Sequence, residues 1–326
     1  MVTVAPPGAD DFLARCGWQG ASLEPLTGDA SFRRYYRVRR AGTSAMLMHA
    51  PPPHEDPKPF LRVGQWLLAN GLRAPAILGD DDAAGYILLE DLGDDRLREH
   101  LEQADSGEEL AAYGKAVDAL VQLQKAGPGP FPRYDMDVYL REVDLFIDWF
   151  CPVAGITVHR DSWMQAWLDA LTPLLDRQEP GVTVLRDYHA ENIMLLPDGH
   201  QAIIDFQDAL IGHPAYDLVS LLQDARRDVS EQVEAEMLNR FTSASDAGAD
   251  FMADYARLGA QRNVKIVGIF ARLNRRDNKP RYMAMIPRVW AAMERDLAHP
   301  ALEPVAQWFD ANIPVNIRDN FGGELQ

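Results

Sequence analysis

Apolar positions change their period part-way along the chain. Up to about residue 90, stretches at 31–40, 45–50 and 86–90 are rich in aromatic or aliphatic residues and are separated by Gly and Pro, the pattern of β-strands. Between them Phe60, Val63, Leu67 and Leu68 fall at i, i+3, i+7 and i+8, with prolines before and Gly71 after, which predicts one helix. From about residue 106 the spacing turns helical, over 108–125, 136–150, 160–176, 230–243, 250–273 and 281–297. Trp163, Trp167, Leu171, Leu174 and Leu175 form one such stripe and read as core. Only 182–205 interrupts with strands. Leu92-Gly93-Asp94-Asp95 predicts a hinge, so the division expected is 1–92 and 93–326. The fold class expected is α+β, a small antiparallel sheet followed by a large, mainly helical part.

The interruption carries the chemistry. Apolar runs 193–196 and 201–204 flank Pro197-Asp198-Gly199-His200, a strong turn signal, and predict a tight antiparallel hairpin. If Leu196 faces Gln201, then Asn192 faces Asp205, with Cβ atoms roughly 5 Å apart. An amide oxygen and a carboxylate at the open end of a hairpin suit a hard cation, which takes oxygen ligands. Asp187 lies just upstream. A carboxylate base, an Asn and a metal-binding Asp in this order is the set that phosphoryl transfer requires. The Asp187-to-Asn192 spacing matches D-x-x-x-x-N of kinase catalytic loops, and Asp205-Phe206 stands where kinases carry D-F-G. Any one of these residues alone would fit a solvated acidic hairpin; the three together favour the kinase arrangement.

Composition narrows the partners. With 326 residues and 47% hydrophobic content, the chain can bury a large core. A formal charge of −17 argues against nucleic acid and against an anionic membrane surface. Cys16 and Cys151 give no disulfide framework, no apolar run approaches the roughly 18 residues that span a bilayer, and no secretory leader is evident. A cytoplasmic monomer is expected.

Further segments fit a nucleotide. Gly28, Asp29, Ala30, Ser31, Phe32, Arg33 and Arg34 form a small-residue turn into a strand, where backbone N–H groups can approach phosphate oxygens. Glu90, Asp91 and Leu92 end an apolar strand and offer backbone groups suited to an adenine edge.

These motifs resemble the aminoglycoside phosphotransferase and choline kinase superfamily, whose fold is the bilobal protein-kinase-like fold. Its typical loop H-G-D-x-x-x-x-N, its I-D-F/W and its later D-L-A correspond here to Leu185-Arg186-Asp187 through Asn192, Ile204-Asp205-Phe206 and Tyr216-Asp217-Leu218. Within it the chain is similar to bacterial anomeric N-acetylmuramate and N-acetylglucosamine kinases of peptidoglycan recycling, through Gly28 to Tyr35, Leu89-Glu90-Asp91-Leu92-Gly93, Gln261 to Leu273 and Pro287-Arg288-Val289-Trp290. The resemblance implies ATP and Mg2+ as cofactors and an amino sugar as substrate. It implies Asp187 as base and Asn192 and Asp205 as metal ligands. Gly28 to Arg34 would be the phosphate loop, and Asp217 a structural carboxylate holding the catalytic loop. Two departures stand out. The strand that usually supplies a phosphate-binding lysine reads Ala45-Met46-Leu47-Met48-His49-Ala50, so Arg33 or Arg34 is the substitute cation expected. Leu185 also replaces the usual histidine. For the acceptor, Arg262 and Lys265 share a helix face and are candidates to hold a lactyl carboxylate. Glu142 and Asp144 are candidates for sugar hydroxyls, and His189 either touches the acceptor or is structural. Amino-alcohol or aminoglycoside acceptors, and a regulatory pseudokinase, are the alternatives.

Overall fold

The aromatic and aliphatic runs of the N-terminal part pair into a sheet in a computed structural model that describes residues 5–26, 32–320 and 322. Strands β1 (Ser22–Pro25), β2 (Arg34–Arg40), β3 (Thr43–His49), β4 (Ile77–Asp81) and β5 (Tyr86–Glu90) lie in the order β1-β2-β3-β5-β4, all antiparallel. The β2–β3 connection is a two-residue turn at Ala41-Gly42, both at positive φ (48° and 81°), whose twist matches that of the strands it joins. Period-2 alternation buries Tyr36, Val38, Ala45, Leu47 and Leu88 against Phe12 and Leu13 of α1 (Ala9–Arg15). Helix α2 (Lys58–Ala69) buries Phe60, Val63 and Leu67, the face that its spacing predicts.

A short α3 (Leu97–Leu101) and four short strands follow the sheet: β6 (Val182–Val184), β7 (Ile193–Leu195), β8 (Gln201–Ile203) and β9 (Leu210–Gly212). The β7–β8 hairpin belongs with the N-terminal sheet. Ile203 N donates to Arg73 O at 2.8 Å, Leu195 N to Asp95 O at 2.8 Å, and Arg98 of α3 bonds Glu191. The first compact unit therefore runs to Gln103 and takes in Glu191–Ala209, rather than ending at residue 92. The hinge tract is inside it, pinned by Arg37, which binds Asp94 at 2.7 Å and Asp91 at 2.9 Å.

The second unit, Ala104–Ala190 with Leu210–Gln326, is helical apart from the β6–β9 pair. It comprises α4 (Ser106–Lys125), α5 (Met136–Leu145), α6 (Cys151–Val153), α7 (Arg160–Gln178), α8 (Ala215–Leu222), α9 (Glu231–Ala244), α10 (Phe251–Asp277), α11 (Ile286–Leu297), α12 (Glu303–Asn312) and α13 (Val315–Asp319). A reciprocal capping box between Asp105 and Glu108 starts α4. Pro287 sits in the first turn of α11, where its missing N–H is harmless, so the stretch before it, Pro280–Met285, is 3₁₀ rather than α. The segment expected as one helix over 136–150 widens to a π turn at Phe146–Phe150. There α10 comes so close that a Cβ on Gly268 would lie 2.3 Å from the Leu145 carbonyl carbon. Around this crossing Phe146 stacks on Phe150 at 4.8 Å and on Trp163 at 5.5 Å, with Trp290 and Phe309 also buried. The Trp163 stripe is core, as its spacing predicts. No helix among the described residues is long and apolar enough to cross a membrane, and both cysteines are free.

Asp254 of α10 locks this unit internally. It is 2% exposed and binds Arg177 at 2.6 Å, Arg257 at 2.9 Å and His213 at 3.4 Å. Burial alone would raise its pKa, but His213 and Arg177 outweigh that and lower it to about 2. The unfolded carboxyl titrates near 4. Its stabilising contribution is therefore complete above about pH 4 and lost as pH falls toward 2, to the extent of about 2 kcal/mol. Thermal melts between these pH values are expected to show a steep fall in stability, and Asp254→Asn to flatten it; an unchanged slope in that variant would refute the assignment.

Candidate active site

The hairpin brings Asn192 and Asp205 to its open end, in a register one residue from the expected one. Ile193 pairs with Ile203, Met194 with Ala202 and Leu195 with Gln201. Leu196 N donates to His200 O at 2.9 Å, so the turn holds three residues, with Gly199 at φ 82°. A four-residue turn would place Asn192 opposite Asp205 instead. With three, Asn192 faces Ile204, whose N–H donates to the Asn192 carbonyl at 3.0 Å. Asp205 comes one position later, in a left-handed conformation (φ 58°) that ends the strand's alternation. Phe206, fully buried, packs on Phe60 of α2 at 4.8 Å and lies against Gly64, anchoring the backbone beside Asp205.

Asp205 is half exposed and accepts a bond from Gln207 at 3.0 Å. Arg33 lies between two carboxylates, 3.9 Å from Asp205 and 4.0 Å from Glu55. Strand β3 contains no lysine; Arg33 is a cation beside Asp205, whereas Arg34 starts β2, opposite His49. The Glu55 partner, just ahead of α2, was not anticipated from sequence. Gly28, Asp29, Ala30 and Ser31 lie outside the described residues, while Phe32 is exposed. Glu90 is held by Arg73 through two bonds, at 2.7 and 2.6 Å, and Asp91 by Arg37, while Leu92 follows beyond the strand end. Both carboxylates are thus occupied, which leaves the backbone as what this tract can offer a ligand.

Among the described residues no three His, Cys, Asp or Glu side chains gather as a metal cage. One carboxylate and one amide oxygen nonetheless fit Mg2+, which is commonly held by one or two carboxylates plus substrate phosphates.

In the second unit, Asp187 follows β6 on a loop governed by a buried carboxylate. Asp217 of α8, 2% exposed, accepts the N–H of Leu185 at 2.7 Å and of Arg186 at 2.8 Å. Burial pushes its pKa up to about 7, against the lowering effect of those two bonds. Asp187 keeps an open face to solvent in otherwise crowded surroundings. Crowding opposes its ionisation, but the cations around it, Lys265 foremost with Arg262 and Arg186, prevail and hold it below the ordinary carboxylate range.

The residues expected to meet an acceptor have diverse partners. His189 is buried, and burial lowers its pKa; its Nε2 lies 3.2 Å from the Arg226 guanidinium, so that nitrogen accepts and the ring is neutral. Arg262, 4% exposed, donates to Ser220 at 2.8 Å and leaves Nη1 without a bond. Asp144 is paired with Arg160 at the surface. Lys265 donates to Glu142 at 2.8 Å. Glu142 has both oxygens occupied, one by Lys265 and Arg186, the other by Tyr134 and by Gln261 at 3.3 Å. Those four donors fill the carboxylate's acceptor positions, so the sugar contact expected of Glu142 has no oxygen left to make it. Arg186, singled out by no sequence signal, is the connecting residue, in a left-handed conformation at φ 72°.

An ionised Asp on a clamped loop, and separately a hairpin end bearing Asn and Asp, are residue types that phosphoryl transfer uses. The chain belongs to the phosphotransferase enzyme family (APH), whose model matches residues 22–260, and it is a kinase. It is 36% identical to the N-acetylmuramate/N-acetylglucosamine kinase of Caulobacter vibrioides, covering 94% of this chain and 96% of that one. It is 37% identical to the protein of the same name from Pseudomonas aeruginosa, covering 85% and 84%. Among solved structures it is similar to a choline kinase of Streptococcus pneumoniae (TM-score 0.62, 15% identity, 88% and 93% covered). A putative aminoglycoside phosphotransferase of Ralstonia eutropha is alike as well (TM-score 0.64, 15% identity, 94% and 98% covered). The fold is that protein-kinase-like one.

The Asp217 clamp predicts opposed pH effects. Ionised, Asp217 offers an oxygen to each N–H; protonated, one oxygen carries a hydrogen that faces a donor. Turnover at saturating nucleotide is expected to drop below about pH 7, where the clamp loosens. Because the folded pKa lies above the unfolded value near 4, stability runs the other way and declines as pH rises from about 4 to about 7. Asp217→Asn should abolish the stability slope in that window and turn over slowly at every pH; a variant with the wild-type pH–rate profile would refute the clamp.

Proposed function

We propose that the chain is an ATP- and Mg2+-dependent kinase that phosphorylates the anomeric C1 hydroxyl of N-acetylmuramate or N-acetylglucosamine. The observation that carries the chemistry is Asp187, ionised, open to solvent and set on a clamped backbone. The names of relatives alike over most of their length support the acceptor. Asp187 orients the acceptor hydroxyl and takes its proton late in a loose transition state. An anomeric hydroxyl is more acidic than an ordinary alcohol, so a carboxylate of low basicity suffices. Asn192 and Asp205 would hold Mg2+, which when bound neutralises charge on the transferring phosphates. Arg33 replaces the absent strand lysine at those phosphates. The segment from Gly28 to Arg34 would supply backbone donors to them, and the backbone of Glu90, Asp91 and Leu92 would meet the adenine.

Electrostatics favour this acceptor over the amino-alcohol and aminoglycoside alternatives. Arg262, Lys265 and Arg186 make the surroundings of Asp187 positive, which suits a neutral or anionic sugar and repels a cationic acceptor. A coupled assay of ADP release with N-acetylmuramate, N-acetylglucosamine, choline and kanamycin is expected to respond to the amino sugars alone. Their products should lose reducing power as C1 is blocked. Turnover with only choline or kanamycin would falsify the acceptor assignment. Asp187→Asn is expected to lower turnover by about a hundredfold or more, with nucleotide affinity within a few-fold.

A further inference from the structure

Arg186, immediately before Asp187, is held at both its ends. Its N–H is bonded by Asp217 at 2.8 Å. Its guanidinium binds the Glu142 carboxylate and lies 5.7 Å over the Tyr134 ring. Between these two grips its backbone takes φ 72°, a conformation that disfavours a residue with a Cβ by roughly 1–2 kcal/mol. Something must hold it there, and the side-chain anchor is well built. Glu142 also takes Lys265 at 2.8 Å, Lys265 reaches the Tyr216 hydroxyl at 3.3 Å, and the hydroxyls of Tyr134 and Tyr216 are 3.0 Å apart. A carboxylate of α5 and an ammonium of α10 thus meet on the residue that precedes the base.

We propose that Arg186 and Glu142 form a positioning pair for Asp187. Glu142, steadied by Lys265, draws the Arg186 side chain away from the acceptor side and keeps residue 186 left-handed, so that the next side chain, Asp187, is turned outward to the acceptor hydroxyl. Neither residue of the pair touches the reacting atoms. This assignment rests on Asp187 being the base, and it replaces the sugar contact expected of Glu142.

The test separates positioning from folding because glycine accepts φ 72° freely. Arg186→Gly keeps the backbone preference and removes the tether, together with one of the cations that act on Asp187, which Arg186→Lys restores. It is expected to fold and to melt cooperatively, with the relieved strain offsetting part of the lost anchor, yet to lose about tenfold to a hundredfold in kcat, the scale of a misplaced reacting group. KM for nucleotide should stay within about threefold, since no nucleotide contact is assigned to Arg186. Arg186→Lys, which restores a cation to Glu142, should recover part of the loss. Glu142→Gln should resemble Arg186→Gly in kcat, and the double variant should be no slower than Arg186→Gly alone, because both break one linkage. A folded Arg186→Gly with wild-type kcat, or losses that multiply in the double variant, would overturn the pair. Asp187→Asn measured alongside keeps the two assignments apart. If it is inactive while Arg186→Gly is not, only the pair falls; if it retains turnover, the base assignment falls and takes the pair with it.

Discussion

A buried carboxylate gripping two consecutive N–H groups is the constraint on which the catalytic loop depends. Backbone donors in a loop buried without partners are destabilising, and Asp217 supplies partners to Leu185 and Arg186 from the first turn of α8. The loop is thereby fixed to a helix embedded in the core. The arrangement carries a penalty, since the same burial that gives a strong, directional clamp also disfavours its charge. The fold accepts weaker stability near neutral pH in return for a base held in one direction.

Charge is distributed unevenly over the molecule. The chain carries −17 overall, yet the groups that act on Asp187 are mostly cations. Lys265 and Arg186 share Glu142, so their field on the base is moderated rather than abolished. Arg262 has no carboxylate partner among the described residues, only Ser220. Against that net charge, the local positive field keeps a carboxylate ionised and ready to take a proton.

Much of this was legible in the sequence, and the misses have physical causes. The hairpin, the sheet followed by helices, the core stripe of Trp163 and the clamping role of Asp217 all follow from local periodicity or from motif. The register of Asn192 slipped by one because a Pro-Asp-Gly turn can close with three residues as readily as four, and period-2 patterning in two apolar runs does not decide between them. Arg186, Glu142 and Lys265 could not be grouped in advance. They meet across 44 and 123 residues of chain, and no spacing rule reaches that far; read one at a time, Glu142 and Lys265 resembled ligand-facing charges and Arg186 gave no signal. Glu55 escaped notice because a kinase lysine's partner is sought inside the following helix, whereas Arg33 finds its carboxylate before that helix begins.

Gly268 gives this network its span. Glu142 and Leu145 are one turn apart on one helix, Lys265 and Gly268 one turn apart on the other, so the place where the two backbones touch lies directly beneath the place where the two charges meet. The absence of a single methyl group therefore acts as a spacer gauge. Any larger side chain there would wedge the helices apart and lengthen the gap that the ammonium must bridge, so a fault introduced a full turn away would be felt first as a misdirected base.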